Sequence, residues 1–159
     1  MSLANPRDLL LKQLSELLWI ERTLFFEVLP AVHDAARAPA LRELLTEHRA
    51  ETRSHCVRLE EAFRACAAEP AAARSPSLET MAKQHEEDAK QFTNPALRDL
   101  FHCTGAGRTE HLELAAYDAA ILLAPLDARR LLEQNRSEDG QALEHLSRLA
   151  ADLAAAAAS

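Results

Sequence analysis

Residues 10–28 have the sequence LLKQLSELLWIERTLFFEV, in which apolar side chains recur at intervals of three and four residues. The register 10, 14, 17, 21, 24, 28 is apolar at every position except 21, which is Glu21. This spacing predicts a long helix that buries one face. Asn5, Pro6 and Asp8 predict its start, because Asn caps free amides, Pro suits the first turn and an acid complements the helix dipole.

Comparable stripes along the rest of the chain predict four more helices. Pro39 and Asn94 open two of them, Ser77 caps a short helix after the linker 68–77, and Asp127 caps the last one. The predicted helices span about residues 6–36, 39–67, 78–91, 95–124 and 128–153. We therefore predict one all-α domain over residues 1–159, an antiparallel four-helix bundle of two hairpins joined by a short crossover helix.

Three features interrupt these predicted helices. Pro30 predicts a kink in the first, and the alanines at 154–158 are predicted to lie beyond the end of the last. Gly105 and Gly107 stand inside the fourth, where they predict a bend or a close helix contact.

Composition excludes several classes of protein. The 159 residues include 3 glycines and 4% aromatics, which argues against a β-sheet fold. The net charge of -7 argues against nucleic acid as a partner. There is no apolar run long enough for a membrane span and no secretory signal pattern, and the odd set of three cysteines suits a reducing compartment. We expect a soluble cytoplasmic protein.

Acids and histidines occupy inward positions in all four long helices. They are Glu21 in the helix predicted at 6–36; His48, Glu51 and His55 in the helix at 39–67, on the register 41, 44, 48, 51, 55, 59, 62; Glu110 and Glu113 in the helix at 95–124; and Asp139 in the helix at 128–153, on the register 132, 135, 139, 142, 146. Counted from the two hairpin turns at about 1.5 Å per residue, the five carboxylates lie within about 6 Å of one level along the bundle.

Such a set of carboxylates requires positive charge, because burying an unpaired carboxylate costs several kcal/mol. Two hard metal ions are one candidate, since carboxylates bind and bridge them and imidazole adds a nitrogen ligand. A salt-bridge network is the alternative, in which an arginine enters the core. The candidates for that role are Arg22, Arg58, Arg108 and Arg136.

Two further residues stand beside the predicted site. Tyr117 lies one turn beyond Glu113, either to hydrogen-bond a site carboxylate or as an ordinary buried tyrosine, and Glu138 lies at the edge of the cluster. Of His48 and His55, one is predicted to be a ligand and the other a partner that donates to a carboxylate. The chain has no phosphate-binding glycine loop and no nucleophile motif.

Residues 7–152 resemble the ferritin-like proteins of the YciF/YciE type, the DUF892 family. The segments that carry the resemblance are LLWIERTLFFEVLP (17–30), LRELLTEHRAETRSHCVRLEEAF (41–63), RTEHLELAAYDAAILLA (108–124) and LLEQNRSEDGQALEHLSRLA (131–150). The resemblance implies a ferritin-like bundle, a di-iron site, a homodimer and a link to bacterial stress responses.

The resemblance also implies the ligand set, with Glu51 and Glu110 or Glu113 bridging two ions while Glu21 and Asp139 bind terminally. This chain departs from the ferritin-like pattern because the Glu-x-x-His motifs expected after Glu51 and at Asp139 lack their histidines, so that His48 or His55 would substitute. The segment ERTLFFEVLP is one residue longer than the family pattern, which implies a bulge in the first helix.

These observations together predict a metal-binding protein with a di-iron or di-manganese centre that handles iron, oxygen or peroxide under stress, as a ferroxidase or peroxidase-like protein would. The electron donor would be external, since the chain has no rubredoxin-like cysteine site. The alternative prediction is a metal-free helical stress or interaction scaffold whose acidic core is neutralised by arginine.

Overall fold

The computed structural model describes residues 3–158, which contain five helices and no strand. Helix α1 consists of α-helical Pro6–Thr23, a π-helical turn Leu24–Val28 and α-helical Leu29–Ala35. The others are α2 (Pro39–Ala65), α3 (Pro76–Ala89), α4 (Pro95–Ile121) and α5 (Leu126–Ala157). Helices α1 and α2 form one hairpin, α4 and α5 the other, and α3 lies in the crossover. The predicted all-α four-helix bundle is confirmed.

Two of the predicted helix caps are present. The Asn5 side chain accepts a hydrogen bond from the Asp8 amide at 3.0 Å, and Asn94 accepts one from the Ala96 amide at 2.9 Å. Each satisfies an amide that has no partner inside its helix.

The caps predicted at Ser77 and Asp127 are wrong, because both helices begin earlier, at Pro76 and Leu126. Proline at the first helical position already has the helical φ, so α3 needs no serine cap. Helix α5 also continues to Ala157 instead of ending before the alanine tail. Alanine has the highest helix propensity, which explains this extension.

The irregularity in α1 is a π-helical turn immediately before Pro30. Here the Leu29 amide bonds to the Leu24 carbonyl, five residues back. The inward register therefore shifts by one, and Leu29 is buried where the sequence register placed Val28, which is only half-buried. This turn is the bulge that the family resemblance implies, and it leaves Glu21 facing the bundle interior.

The core has two apolar clusters with a polar layer between them. One cluster includes Leu14, Leu59, Phe63 and Leu132, and the other includes Leu24, Leu41, Leu45 and Leu146. Burying each such leucine contributes about 1.5–3 kcal/mol, so the two clusters stabilise the bundle on both sides of the polar layer. In the described residues, no helix has the length and apolarity that a membrane span requires.

Candidate metal centre

The polar layer is formed by six side chains from the four long helices. Each of these residues is at most 4% exposed, and they are Glu21 from α1, His48 and His55 from α2, Glu110 and Glu113 from α4, and Asp139 from α5. The sequence predicted all six as site residues, and the structure brings all six together.

The cluster contains two overlapping groups of potential ligands. Donor atoms of Glu21, His55 and Asp139 lie within 4.8 Å of one another, and so do those of His48, Glu110 and Asp139. His55 Nδ1 is 3.2 Å from Glu21 Oε1 and 3.4 Å from Asp139 Oδ1. His48 Nε2 is 2.8 Å from Glu110 Oε1. Asp139 therefore belongs to both groups.

Hydrogen bonds fix the orientation of the Glu21 carboxylate. The Tyr117 hydroxyl donates to Glu21 Oε1 at 2.5 Å, and Asn135 Nδ2 donates to the Tyr117 oxygen at 2.9 Å. Asn135 is fully buried on the same face of α5 as Asp139, four residues away. Asn135 was not predicted as a site residue, although its position on the predicted inward register of α5 was a signal.

Glu138 lies at the edge of the cluster, as predicted, with its side chain 24% exposed. Its Oε2 is 3.0 Å from His55 Nε2 and accepts a hydrogen bond from Arg58 Nη1 at 2.7 Å. His55 thus contacts buried acids through Nδ1 and Glu138 through Nε2, and Arg58 binds Glu138.

Four ionisable groups of the cluster have raised pKa values, and they are His48, His55, Glu113 and Asp139. Burial, with the Glu21 and Asp139 charges, raises the pKa of Glu113 well above its usual value. Burial and the Glu21 charge raise the pKa of Asp139 to about 8. Burial alone would lower the pKa of His55, but the Glu21 and Asp139 carboxylates outweigh it and raise that pKa to about 9. Glu110 raises the pKa of His48 in the same way.

Several carboxylate oxygens in the cluster are buried without a hydrogen-bond partner among the described residues. They are Oε2 of Glu21, Oε2 of Glu110, and both oxygens of Glu113 and of Asp139. Asp99, another buried acid, is different, because its oxygens accept hydrogen bonds from the Arg37 and Ala38 amides at 2.6–3.2 Å. The cluster therefore combines carboxylate oxygens that have no hydrogen-bond partner with imidazole nitrogens. This set of potential metal ligands fits iron or manganese.

The arginines predicted as an alternative do not reach these acids in the described part of the chain. Arg22 pairs with Glu60 and Arg136 with Asp118, all on the bundle surface. Arg58 contacts Glu138 and Asn135 at the edge of the cluster, and Arg108 lines a neighbouring cavity. Within residues 3–158, Arg58 reaches only the edge acid Glu138, and no arginine pairs with a carboxylate of the polar layer.

The structure does not bring Glu51 into the cluster. Its side chain is 44% exposed, and its Oε2 lies 3.8 Å from His48 Nδ1. The register predicted for this helix is wrong at two positions, because Leu45 and Thr52 are buried instead of Leu44 and Glu51. The true stripe of 41, 45, 48, 52, 55 and 59 keeps both histidines inward and turns Glu51 toward solvent.

A second histidine pair, which the sequence analysis missed, lies beside the cluster. His85 Nε2 of α3 is 2.9 Å from His102 Nδ1 of α4. The His85 ring lies against Gly105, where a Cβ would be 2.4 Å from His85 Cε1, so the predicted close helix contact at this glycine is confirmed. No periodic signal in the sequence indicates this pair, because the register of one helix does not show which helix lies opposite.

A four-helix bundle with buried carboxylates and histidines contributed by all four long helices is the arrangement of a ferritin-like protein. The sequence profile of the family described as "Domain of unknown function (DUF892)" matches residues 5–159. The chain belongs to this family.

Solved structures share the fold. YcfI from Rhodopseudomonas palustris has 26% identity and a TM-score of 0.88, over 91% of this chain and 94% of that one. The E. coli stress protein YciF has 20% identity and a TM-score of 0.89, over 96% and 98%. Protein XCC3681 from Xanthomonas campestris pv. campestris has 16% identity and a TM-score of 0.69, over 98% and 100%. No curated protein matches the chain significantly.

Proposed function

We propose that this protein binds two iron or manganese ions in the polar layer and handles iron, oxygen or peroxide in a stress response. The observation that carries the proposal is the set of buried carboxylate oxygens without partners beside two buried histidines. No lysine or arginine contacts these acids in the described residues, and repulsion among them requires compensation that divalent metal ions provide. YciF, which shares the fold, is a stress protein.

The residue assignments follow from the two ligand groups. Glu21 and His55 would hold one ion, and His48 and Glu110 the other. The presence of Asp139 in both groups supports it as a bridging ligand, in place of the terminal role implied by the resemblance. Glu113 faces Glu21, Asp139 and Glu110, which supports a second bridging role.

Glu51 stays a predicted ligand that requires a side-chain movement inward. Where it stands, it supports His48 instead, because its carboxylate faces His48 Nδ1 while His48 Nε2 faces Glu110.

The protein's own groups would control the protons of the centre. Bound iron or manganese would supply redox chemistry toward oxygen or peroxide. His48, His55, Glu113 and Asp139 all have raised pKa values and must lose protons before they act as ligands. Metal uptake at neutral pH should therefore release protons, whereas metal adsorbed on exposed carboxylates should release almost none.

The test is an anaerobic Fe(II) titration of protein purified without an affinity metal, with metal content and proton release measured together. We expect about two ions per chain, accompanied by proton release. The Glu113→Gln variant should lose most of this uptake. Glu43→Gln, an exposed acid on α2, is the matched control and should retain it.

Exposure of the loaded protein to oxygen or peroxide, with absorbance recorded, then tests the oxidant handling. A reductant must be added for repeated turnover, because the electron donor is external on this proposal. Absence of stoichiometric metal after titration would contradict the proposal and favour the metal-free scaffold.

We further propose a homodimer. Phe26, Leu122 and Leu126 are 68%, 80% and 61% exposed, which is unusual for apolar side chains of this size. Light scattering after size-exclusion chromatography measures the assembly directly, and a monomer or a large shell would contradict the proposal.

A further inference from the structure

An apolar cavity of about 880 Å³ lies between the crossover helix α3, helix α1 and helix α4. This volume falls in the range of about 300–1,000 Å³ that small-molecule sites occupy. The apolar part of its lining includes Trp19, Leu24, Val28, Val32, Leu45 and Leu78. The cavity is therefore large enough for an organic molecule, and its walls would favour an apolar one.

One part of the cavity carries two polar side chains without partners. Arg98 and His102 both line it and stand one turn apart on α4. Arg98 Nε and His102 Nε2 are enclosed and make no hydrogen bond within the described residues, and His102 is 4% exposed. Leaving such groups unsatisfied costs free energy, which a ligand with acceptor oxygens would recover.

The hydrogen bond to His85 prepares His102 for this role. A carboxylate would select the tautomer in which His85 Nε2–H donates to His102 Nδ1, because His102 then keeps its proton on Nε2. The His85 ring is held by stacking on Phe101 at 4.5 Å and by its contact with Gly105. Two opposite charges act on His102, the Asp99 carboxylate and the permanent positive charge of Arg98. The Asp99 oxygens already accept hydrogen bonds from the Arg37 and Ala38 amides, whereas Arg98 Nε has no partner among the described residues.

The other part of the cavity reaches the candidate metal centre. His48 and Glu110 line the cavity, and Glu110 follows Arg98 by twelve residues along α4, about 18 Å of helix. Four acids besides Glu110 line the cavity, and they are Glu27, Glu79, Glu86 and Asp88. Glu79 pairs with Arg74 and Glu86 with Lys90, while Asp88 accepts hydrogen bonds from Gln84 and Gln91.

We propose that this cavity binds an apolar organic acid, with its carboxylate on Arg98 and His102 and its chain extending toward His48 and Glu110. Binding itself needs no metal. Only the placement of the chain beside a redox centre, which would make the acid a substrate candidate, rests on the proposed function.

The test is isothermal titration calorimetry of the metal-free full chain with decanoate, a ten-carbon fatty acid. The comparison ligands are 1-decanol and decyltrimethylammonium, which have the same ten-carbon chain. We expect one decanoate to bind per chain. The alcohol and the cation should bind at least about tenfold more weakly than decanoate, because neither has an anionic head group. Equal affinity for all three would overturn the proposed carboxylate site, and so would the absence of saturable decanoate binding.

Variants locate the site. Arg98→Met should weaken decanoate binding about tenfold and Arg98→Lys less, whereas Arg148→Met removes an exposed arginine and should change nothing. Ala106→Phe fills the cavity from α4 and should abolish binding.

Thermal unfolding of each variant verifies that it folds. Unchanged decanoate binding in both folded Arg98→Met and Ala106→Phe would overturn the proposal. An Fe(II) titration of the same variants separates this outcome from failure of the metal proposal.

Discussion

The molecule contains two pairs of histidines whose pKa values are shifted in opposite directions. Burial lowers the pKa of all four rings. In the polar layer, the acids around His48 and His55 outweigh burial and raise both pKa values. In the pair beside the cavity, burial, His102 and Arg108 lower the pKa of His85 to about 4, and burial lowers that of His102.

This difference shows that the neighbouring charges, not the residue type, decide what each pair can bind. The first pair is protonated at neutral pH and surrounded by acids, so a metal ion can displace its protons. The second pair is neutral, with an arginine beside it, and is suited to accept an anion. Both sites include residues of helix α4, yet the first is suited to a cation and the second to an anion.

The largest expected effect is stabilisation by metal at the first pair alone. A divalent ion at about a thousand times its Kd should add about 4 kcal/mol to the free energy of unfolding, or about 10 °C in melting temperature for a domain of this size. Thermal unfolding with and without Mn²⁺ measures this shift. The His85→Phe variant should keep the shift, and Glu113→Gln should lose it. An equal Mn²⁺-induced rise in melting temperature in both variants would show that the metal does not bind specifically at the first pair.

The next effect is a loss of stability at alkaline pH in protein stripped of metal. His55 and Asp139 have folded pKa values of about 9 and about 8, above their unfolded values of about 6.5 and 3.9. The folded state therefore binds more protons than the unfolded state, and stability falls as pH rises through 8 and 9. We expect a loss of roughly 3–4 kcal/mol between pH 7 and 9, measured by urea unfolding.

The variant Asp139→Asn removes one of the two groups, so its stability should depend less on pH over this range. An equally steep loss in the variant would assign the effect to other residues.

Sequence reasoning succeeded where periodicity has one solution. Helix α5 matched its predicted register at every position, so Asp139 was placed correctly. Helix α2 offered two nearly equivalent stripes, and the choice of Leu44 over Leu45 also placed Glu51 inward. A register written on a helical wheel cannot distinguish adjacent positions when both are leucine.

The histidine pair and the cavity could not be predicted for a different reason. His85 and His102 meet only because α3 crosses over α4, and the packing of a short polar helix leaves no periodic signal in the sequence. The glycine at 105 was noticed, but its partner ring was not, because periodicity does not report which helix lies opposite.

A smaller loss of stability is expected at acid pH, where His85 of the second pair becomes protonated. The folded pKa of His85, about 4, lies below its unfolded value of about 6.5, so the unfolded state binds the proton first. Stability is therefore lost as pH falls from about 6.5 to 4. Because His85 is partly exposed, we expect its share to be about 1–2 kcal/mol.

The His85→Phe variant preserves the stacking on Phe101 and removes the titration. The difference in unfolding free energy between wild type and variant, measured by urea unfolding at pH 6.5 and 4.5, isolates the contribution of His85. A difference that stays constant with pH would show that His85 is not held neutral by the fold.

The smallest effect distinguishes two helical glycines. Gly140 of α5 has open space where a Cβ would stand, so Gly140→Ala should stabilise the protein by up to about 1 kcal/mol through helix propensity. Gly105→Ala gains the same propensity, but its Cβ would overlap the His85 ring, which must move away from His102. The gain should then be cancelled or reversed, and decanoate binding should weaken. If both alanine variants were stabilised equally in urea unfolding, Gly105 would not be in close contact with the His85 ring. The packing of α3 on α4 would then not hold His85 beside His102.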